Sequence, residues 1–393
     1  MISVSEALDT LFELVAPGAI ETVPLQAAHG RVLAQDVAAQ RNQPPFDASA
    51  MDGYAVKATE VEKDALFQVV GESAAGHGWA GDVKPGQAVR IFTGAPVPEG
   101  ADFIVIQENV DRRGDLITIT ETPGPSHYIR PAGGDFKIGE TITAPRRLSP
   151  ADVALLASMN VASVPVTQKP VVALISTGDE LVMPGEAPGP DQIIASNTFG
   201  LAAMLQSAGA DTRILPIARD TELSLRQAFK LAGSADLIVT IGGASVGDHD
   251  LVADVAGEAG MEQAFYKIAM RPGKPLMAGR LGGVPMIGLP GNPVSAMVCG
   301  AVFLVPVVRK MLGFEASPAP RQKMSLAKPL GSNGPREHYM RAIKTSEGVA
   351  AFDAQDSSLL GVLAQSDTLL IRPPHDPARE TGDMVEIIHL DQS

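Results

Sequence analysis

The sequence predicts a multidomain α/β-plus-β protein. Its centre is a three-layer α/β domain with a mostly parallel sheet; a β-rich region precedes it and a small β-barrel or sandwich follows. Three observations carry this. At about 150 residues per domain, a chain of 393 residues divides into two to four domains. From Lys169 to Leu312 continuous apolar runs alternate with helical patterns, the texture of βαβ units with helices on both sides. From about 30 to 140, and again after 315, the chain turns to short apolar alternations broken by Gly and Pro.

The elements follow in order. Val4, Leu8, Leu11, Phe12 and Val15 fall at helical spacing, so an amphipathic helix opens the chain. Residues 67–71, 88–93, 103–107 and 116–120 read as strands. Ser149 as N-cap, Pro150 at the first helical position and Asp152 in the first turn start a helix to about Met159. Residues 171–176 (VVALIS) and 236–241 (DLIVTI) are near-continuous apolar runs, as strands covered on both faces are. Residues 197–208, 250–258 and 293–312 read as helices, and 221–232 as a helix capped by Asp220. Residues 212–217 and 286–289 complete the sheet. Beyond a proline linker, 322–327, 368–372 and 384–389 read as short strands. No period of 20–50 residues marks a repeat protein.

Charge narrows function before any motif does. Lys and Arg total 31 against 45 Asp and Glu, a formal net charge of −14, and aromatic residues make up 4%. A nucleic-acid binder needs a basic footprint and stacking rings, so that class is excluded. A small anion in a local basic pocket is not. The single cysteine, Cys299, can form no internal disulfide, which points to a reducing cytoplasm. No histidine has metal-ligand spacing, so the seven histidines read as structural or surface residues. The N-terminus lacks a basic n-region, and no signal peptide is expected. Residues 281–308 carry no charge, yet prolines and glycines leave only 294–305 helix-like, too short to cross a bilayer.

Ligands of open parallel sheets bind outside the carboxyl ends of the strands. Four loops there are unusually specified. Gly242 and Gly247 have P-loop spacing, but Asp248 stands where that loop needs lysine, so this is no Walker A motif. Gly242, Gly243 and Ser245 suit an anion cradle and equally a plain tight βα turn. In Pro290-Gly291-Asn292-Pro293-Val294-Ser295, Asn292 caps and Pro293 starts a helix. That leaves the amides of Val294, Ser295 and Ala296 free for an anion at the dipole's positive end. A capped structural helix explains Asn292 and Pro293, but not the second proline. Lys267, Arg271 and Lys274 place three cations in eight residues with no acid among them. A solvated face is the usual account of such a run; the flanking Pro272, Gly273 and Pro275 favour an oxyanion clamp. Asp179, Glu180, Asp220, Asp248 and Asp250 fall on the same rim. Each alone suits a helix cap; beside the basic loop they suggest a metal–phosphate site, since Mg²⁺ uses one or two carboxylates plus phosphates.

Residues 45–55 (PFDASAMDGYA) closely resemble the hallmark of the MoeA and gephyrin E-domain family, the molybdopterin molybdenumtransferases. Residues 90–102 (RIFTGAPVPEGAD) look like its second motif, and 130–135 (RPAGGD) like its R-x-x-G-x-D turn. TGDEL, GGASVGDHD, PGKP and LPGNPVS follow in the family's order. The resemblance implies an elongated N-terminal region (1–41 with 141–168), an inserted β-rich domain (42–140), a molybdopterin-binding α/β domain (169–315) and a C-terminal β-barrel (316–393). It implies a cytoplasmic homodimer whose active-site cleft is shared between subunits, with other molybdenum-cofactor biosynthesis proteins as partners. The implied reaction inserts molybdate into adenylylated molybdopterin, with Mg²⁺ and release of AMP.

Residue by residue, the resemblance makes Asp52, Thr93 and Asp135 the partner's contribution to the cleft. Glu180, Asp220 and Asp250 match acidic positions for Mg²⁺ and pyrophosphate. Lys267, Arg271 and Lys274 match basic positions, and Pro290, Pro293 and Ser295 the anion-binding turn. Arg341 and Ser358 match residues that hold molybdate, although Leu359 follows Ser358 where the family often has Arg or Met. Two other readings compete. Adenylylation of molybdopterin by a related α/β fold goes with G-G-T-G at the glycine loop, where this chain has Gly242-Gly243-Ala244-Ser245. A scaffold protein, as the gephyrin E domain also is, would have no use for these acidic and basic motifs.

Overall fold

The computed structural model describes residues 1–243 and 251–390. The chain forms two compact units. One comprises Met1–Glu21, Gly30–Ala34 and Val166–Ser393, the other Thr22–His29 and Gln35–Pro165.

The first unit contains a six-stranded sheet in the order Asp211–Ile214, Val171–Ser176, Leu237–Ile241, Val284–Leu289, Pro275–Leu281, Glu262–Lys267. The first four strands run parallel; the last two are antiparallel additions at one edge. Side chains alternate between two cores because a strand points successive residues to opposite faces. Val172, Leu174, Val239 and Ile287 pack with the helices Val4–Leu14 and Asn197–Ala208 and with the helical stretch from Pro293. Ala173, Ile175, Ile238 and Met286 pack with Glu222–Ala232 and Leu251–Glu258.

The helix read over 293–312 is present as Pro293–Met311, continued through a π-turn at Gly300–Leu304, so the limit of 294–305 set against a membrane span does not hold, and the cap of another helix differs from the sequence reading. At 19 residues and mean hydropathy 1.7 it is long and apolar enough to span a bilayer, yet 78% of that window is buried inside the protein. It is a core helix. A Cβ at Gly300 would sit 2.6 Å from Leu201 Cδ2, so glycine there permits the close approach of the neighbouring helix. The helix Glu222–Ala232 is capped by Thr221, whose hydroxyl accepts from Ser224 N–H at 3.3 Å, and not by Asp220.

The two-residue strand Met270–Arg271 lies in the chain between the edge strands of this sheet. It pairs instead, in parallel, with Glu337–Thr345 of the C-terminal region. That strand continues a sheet through Thr368–Arg372, Met384–His389 and Gln322–Ser325, with Gly348–Ala351 on its other side. A bridge between Leu326 and Val349 links the two ends of this path around the core of Leu326, Ala342, Val349, Leu370, Val385 and Ile387.

The second unit holds a six-stranded sheet in the order Phe103–Ile106, Gly53–Val56, Gln87–Ile91, Leu66–Ser73, Leu116–Ile119, Val110–Arg113. Tyr54, Val56, Ala88 and Phe103 fill one face, Ala55, Val89, Ile91 and Ile104 the other. Its helix Pro150–Ser158 begins with the Ser149–Asp152 capping box.

Candidate active site

Ser176, Ile241 and Leu289 stand side by side at the carboxyl ends of three parallel strands. The loops that leave them interlock. Thr177 N–H donates to Ile241 O at 3.0 Å, and Gly242 N–H to Leu289 O at 3.1 Å. Gly242 has φ +98°, and a Cβ there would lie 2.7 Å from Thr177 O, so only glycine fits. Asn197 Nδ2 donates to Gly291 O at 2.8 Å. Gly242, Gly243, Pro290 and Gly291 therefore share one rim. Ser245, Asp248 and Asp250 lie outside the described residues.

The acidic side of the rim is held by a residue the sequence reading missed. Arg219 Nη1 donates to the carbonyls of Gly178, Asp179 and Leu181, at 3.4, 3.0 and 3.0 Å. Asp220 N–H donates to Asp179 Oδ1 at 3.2 Å. The Glu180 carboxylate folds back over Gly178, where a Cβ would meet Oε2 at 2.3 Å. With Thr221 doing the capping, no hydrogen bond or ion pair among the described residues occupies the carboxylates of Glu180 or Asp220. Hard, unpaired oxygens suit a cation such as Mg²⁺. Among the described residues no three acidic, His or Cys side chains gather to hold one; Asp250 is not among them.

The basic side converges with the helix turn. Ile268 N–H donates to Lys274 O at 3.0 Å, closing the 268–274 loop. A Cβ at Gly273 would be 2.5 Å from Cys299 Sγ, so the loop lies against the helix that starts at Pro293. At that helix's start Val294 N–H donates to Ser357 O at 3.0 Å. The neighbouring Asp356 carbonyl accepts from Arg341 Nη2 at 3.1 Å. Asp356 Oδ1 accepts from Ser358 N–H at 2.9 Å and Oγ at 2.6 Å, bonds that lower the Asp356 pKa. The helix start, Arg341 and Ser358 are thus one hydrogen-bonded network.

The turn itself departs from expectation. Val294 gives its amide to Ser357 and Ala296 gives its amide to Asn292 O, so neither is free. Asn292 stands at the N-cap without a side-chain cap bond. Ser295, 3% exposed, is the residue of that turn whose amide and hydroxyl have no hydrogen bond among the described residues.

Arg271 and Lys274 are exposed, and neither they nor Lys267 form an ion pair among the described residues. Lys267 Nζ sits 5.3 Å from the Tyr266 ring centroid. Arg341 is fully buried, and its Nε and Nη1 have no partner among the described residues. Burial, then Arg271, pulls its pKa below the usual guanidinium value. The sequence reading also set aside His338, which is 7% exposed and stands in register with Arg271 and Arg372.

In the second unit Asp52 Oδ1 accepts from both Thr93 N–H (2.7 Å) and Thr93 Oγ (2.8 Å). The backbone bond, then the hydroxyl, holds the Asp52 carboxyl below the usual carboxylate range. Arg90 lies 5.1 Å from the Tyr54 ring centroid and 4.7 Å from that of Phe92, and donates to Gly53 O. Asp135 N–H donates to Gln43 O at 2.9 Å, and its turn adjoins the strand pair 48–49 with 129–130.

The chain matches the family models of the MoeA N-terminal region (domain I and II) over residues 2–160, a probable molybdopterin binding domain over 173–310, and the MoeA C-terminal region (domain IV) over 323–390. It is 34% identical to the molybdopterin molybdenumtransferase of Nostoc sp., over 99% of this chain and 94% of the relative. It is 36% identical to molybdopterin molybdenumtransferase 2 of Mycobacterium tuberculosis, over 99% and 100%. A crystal structure of the molybdopterin biosynthesis MoeA protein from Pyrococcus horikosii superposes with a TM-score of 0.85 at 28% identity, covering all of both chains. With three family models in sequence order and relatives that align from end to end, the chain belongs to the molybdopterin molybdenumtransferases, enzymes of molybdenum cofactor biosynthesis.

Proposed function

We propose that the protein inserts molybdate into adenylylated molybdopterin and releases AMP, as a cytoplasmic homodimer that uses Mg²⁺. The observation that supports this reading is the network joining Arg341, Asp356 and Ser358 to the helix start at Val294, with the backbone of the 268–274 loop, which carries Arg271 and Lys274, lying against the same helix. Molybdate and a phosphoanhydride are both oxyanions, and they repel unless fixed cations and donors offset their charge. Arg271, Lys274 and Arg341 neutralise the oxyanion. The Ser295 amide and hydroxyl orient it, and Lys267 and the glycine rim 242–243 with 290–291 receive the rest of the substrate. Glu180 and Asp220, with Asp250, are the residues that would hold Mg²⁺. When bound, the ion supplies positive charge against the phosphoanhydride oxygens. Asp52, Thr93 and Asp135 complete the site from a second copy of the chain. Everything the protein contributes is positioning and electrostatics, without a covalent intermediate.

Incubation with adenylylated molybdopterin, Mg²⁺ and molybdate tests this. AMP release that depends on molybdate is expected; consumption of ATP instead would assign the protein to adenylylation. Asp220→Ala and Asp250→Ala are expected to lose AMP release while thermal unfolding is unchanged. Unchanged turnover in both removes the carboxylates from the mechanism.

A further inference from the structure

His338 has arginines opposite it on both neighbouring strands. Arg271 lies opposite it on one neighbouring strand and Arg372 opposite it on the other. Arg336 immediately precedes its strand, and Arg341 lies three residues on along it, a spacing that puts Arg341 on the other face of the sheet. The acids nearby are committed elsewhere. Asp376 pairs with Arg372 and Arg379. Glu337 takes Arg321 and the Tyr339 hydroxyl. Asp356 is engaged by Ser358.

The imidazole is 7% exposed, and its Nε2 is buried without a partner among the described residues. A buried polar atom left unpaired costs free energy, so its persistence here asks for a reason. Burial first, then Arg271, Arg341, Arg372 and Arg336, hold the histidine pKa down to about 4. In the free protein it is therefore neutral. Two of the surrounding cations, Arg271 and Arg341, are the ones read above as holding an oxyanion. A dianion there leaves the burial cost in place, but it offsets the arginines' share of the effect and attracts the imidazolium form.

Resting on that reading of the oxyanion site, we propose that the site takes up its oxyanion together with a proton, and that His338 is the group that accepts it. The proton comes from solvent, and the imidazole becomes imidazolium beside the dianion. The sign follows from linkage. A group whose pKa is higher in the complex than in the free protein strengthens binding as pH falls, by at most about tenfold per pH unit.

Calorimetric titration of the full chain with molybdate, at pH 6 and pH 8 in two non-oxyanion buffers of different ionisation enthalpy, reads the uptake directly. Expected are several-fold tighter binding at pH 6 and a fractional proton taken up per molybdate, larger at pH 6. His338→Gln should bind molybdate with neither the uptake nor the pH dependence. Independently of that variant's folding, ¹⁵N-histidine NMR of the natural protein provides a second readout, in which one imidazole shifts toward imidazolium as molybdate is added. Binding without proton uptake, or uptake with no histidine shift, overturns the assignment of His338 and leaves the oxyanion site standing. No molybdate binding at either pH overturns the site itself, and the inference with it.

Discussion

Arg341 and Arg372 sit on adjacent strands of one sheet, both buried, at 0% and 2% exposure. Arg372 is satisfied: its Nε meets Asp376 Oδ2 and its Nη2 donates to Pro377 O, while Arg379 shares the same carboxylate. Arg341 spends one nitrogen on the Asp356 carbonyl and leaves Nε and Nη1 without a partner among the described residues. The fold therefore knows how to pair a buried guanidinium, and does so one strand away. A fully paired cation holds a structure together; an unpaired one is kept at a cost to the fold, and the proposed oxyanion would offset that cost at Arg341.

The paired arginine breaks first. Asp376→Ala strands Arg372 as a second buried, uncompensated cation, and the expected loss is about 3–5 kcal/mol of stability, read by denaturant unfolding. The double variant Arg372→Met with Asp376→Leu removes both charges and should recover most of that loss. If the single change costs under about 1 kcal/mol, the triad is not structural and the comparison loses its fixed point.

The unpaired arginine should behave in the opposite way. Arg341→Met removes a buried charge that the protein alone does not satisfy, so stability is expected to hold or rise. Molybdate-dependent AMP release should fall by about 10²–10³, the scale for deleting one oriented donor to a developing anion. A variant that unfolds early but turns over normally once folded would reverse the two assignments.

Sequence texture reaches much of this arrangement because each signal is local. The apolar runs at 171–176 and 237–241 became central parallel strands, since only strands covered on both faces can be apolar throughout. The Ser149–Asp152 start was legible because a cap involves four consecutive residues. What stayed hidden depends on partners far away in the chain. The pairing of Arg271 with His338 joins positions 67 apart through a two-residue strand, too short to carry any periodicity. His338 has no ligand spacing, so nothing in sequence separates it from a surface histidine; its burial comes from the sheet. The free amide expected at Val294 failed for the same reason, because Ser357, more than sixty residues on, takes it, whereas the Ala296 amide goes to the Asn292 carbonyl four residues back. Arg219 is silent too, since the three carbonyls it holds reveal themselves only once the 178–181 loop is folded.

The same contrast recurs on a smaller scale at Asp220 and Thr221. Both residues precede a helix, and both belong to types that cap, so sequence alone favours neither. The Thr221 hydroxyl takes Ser224 N–H, while Ser224 Oγ in turn accepts from Arg219 N–H at 2.9 Å. Thr221 is thus tied to the residue that braces the acidic loop. Thr221→Val is expected to lose about 1 kcal/mol of stability, the ordinary worth of an N-cap, and to leave AMP release near its natural rate. Asp220→Ala should show the reverse, with an unchanged unfolding midpoint and lost turnover, because its carboxylate supports nothing in the fold. Measuring both properties on both variants separates cap from site across a single peptide bond. A stability loss in Asp220→Ala equal to that in Thr221→Val would mean that the carboxylate shares the cap, and Asp220 would then have no claim to stand free for a cation.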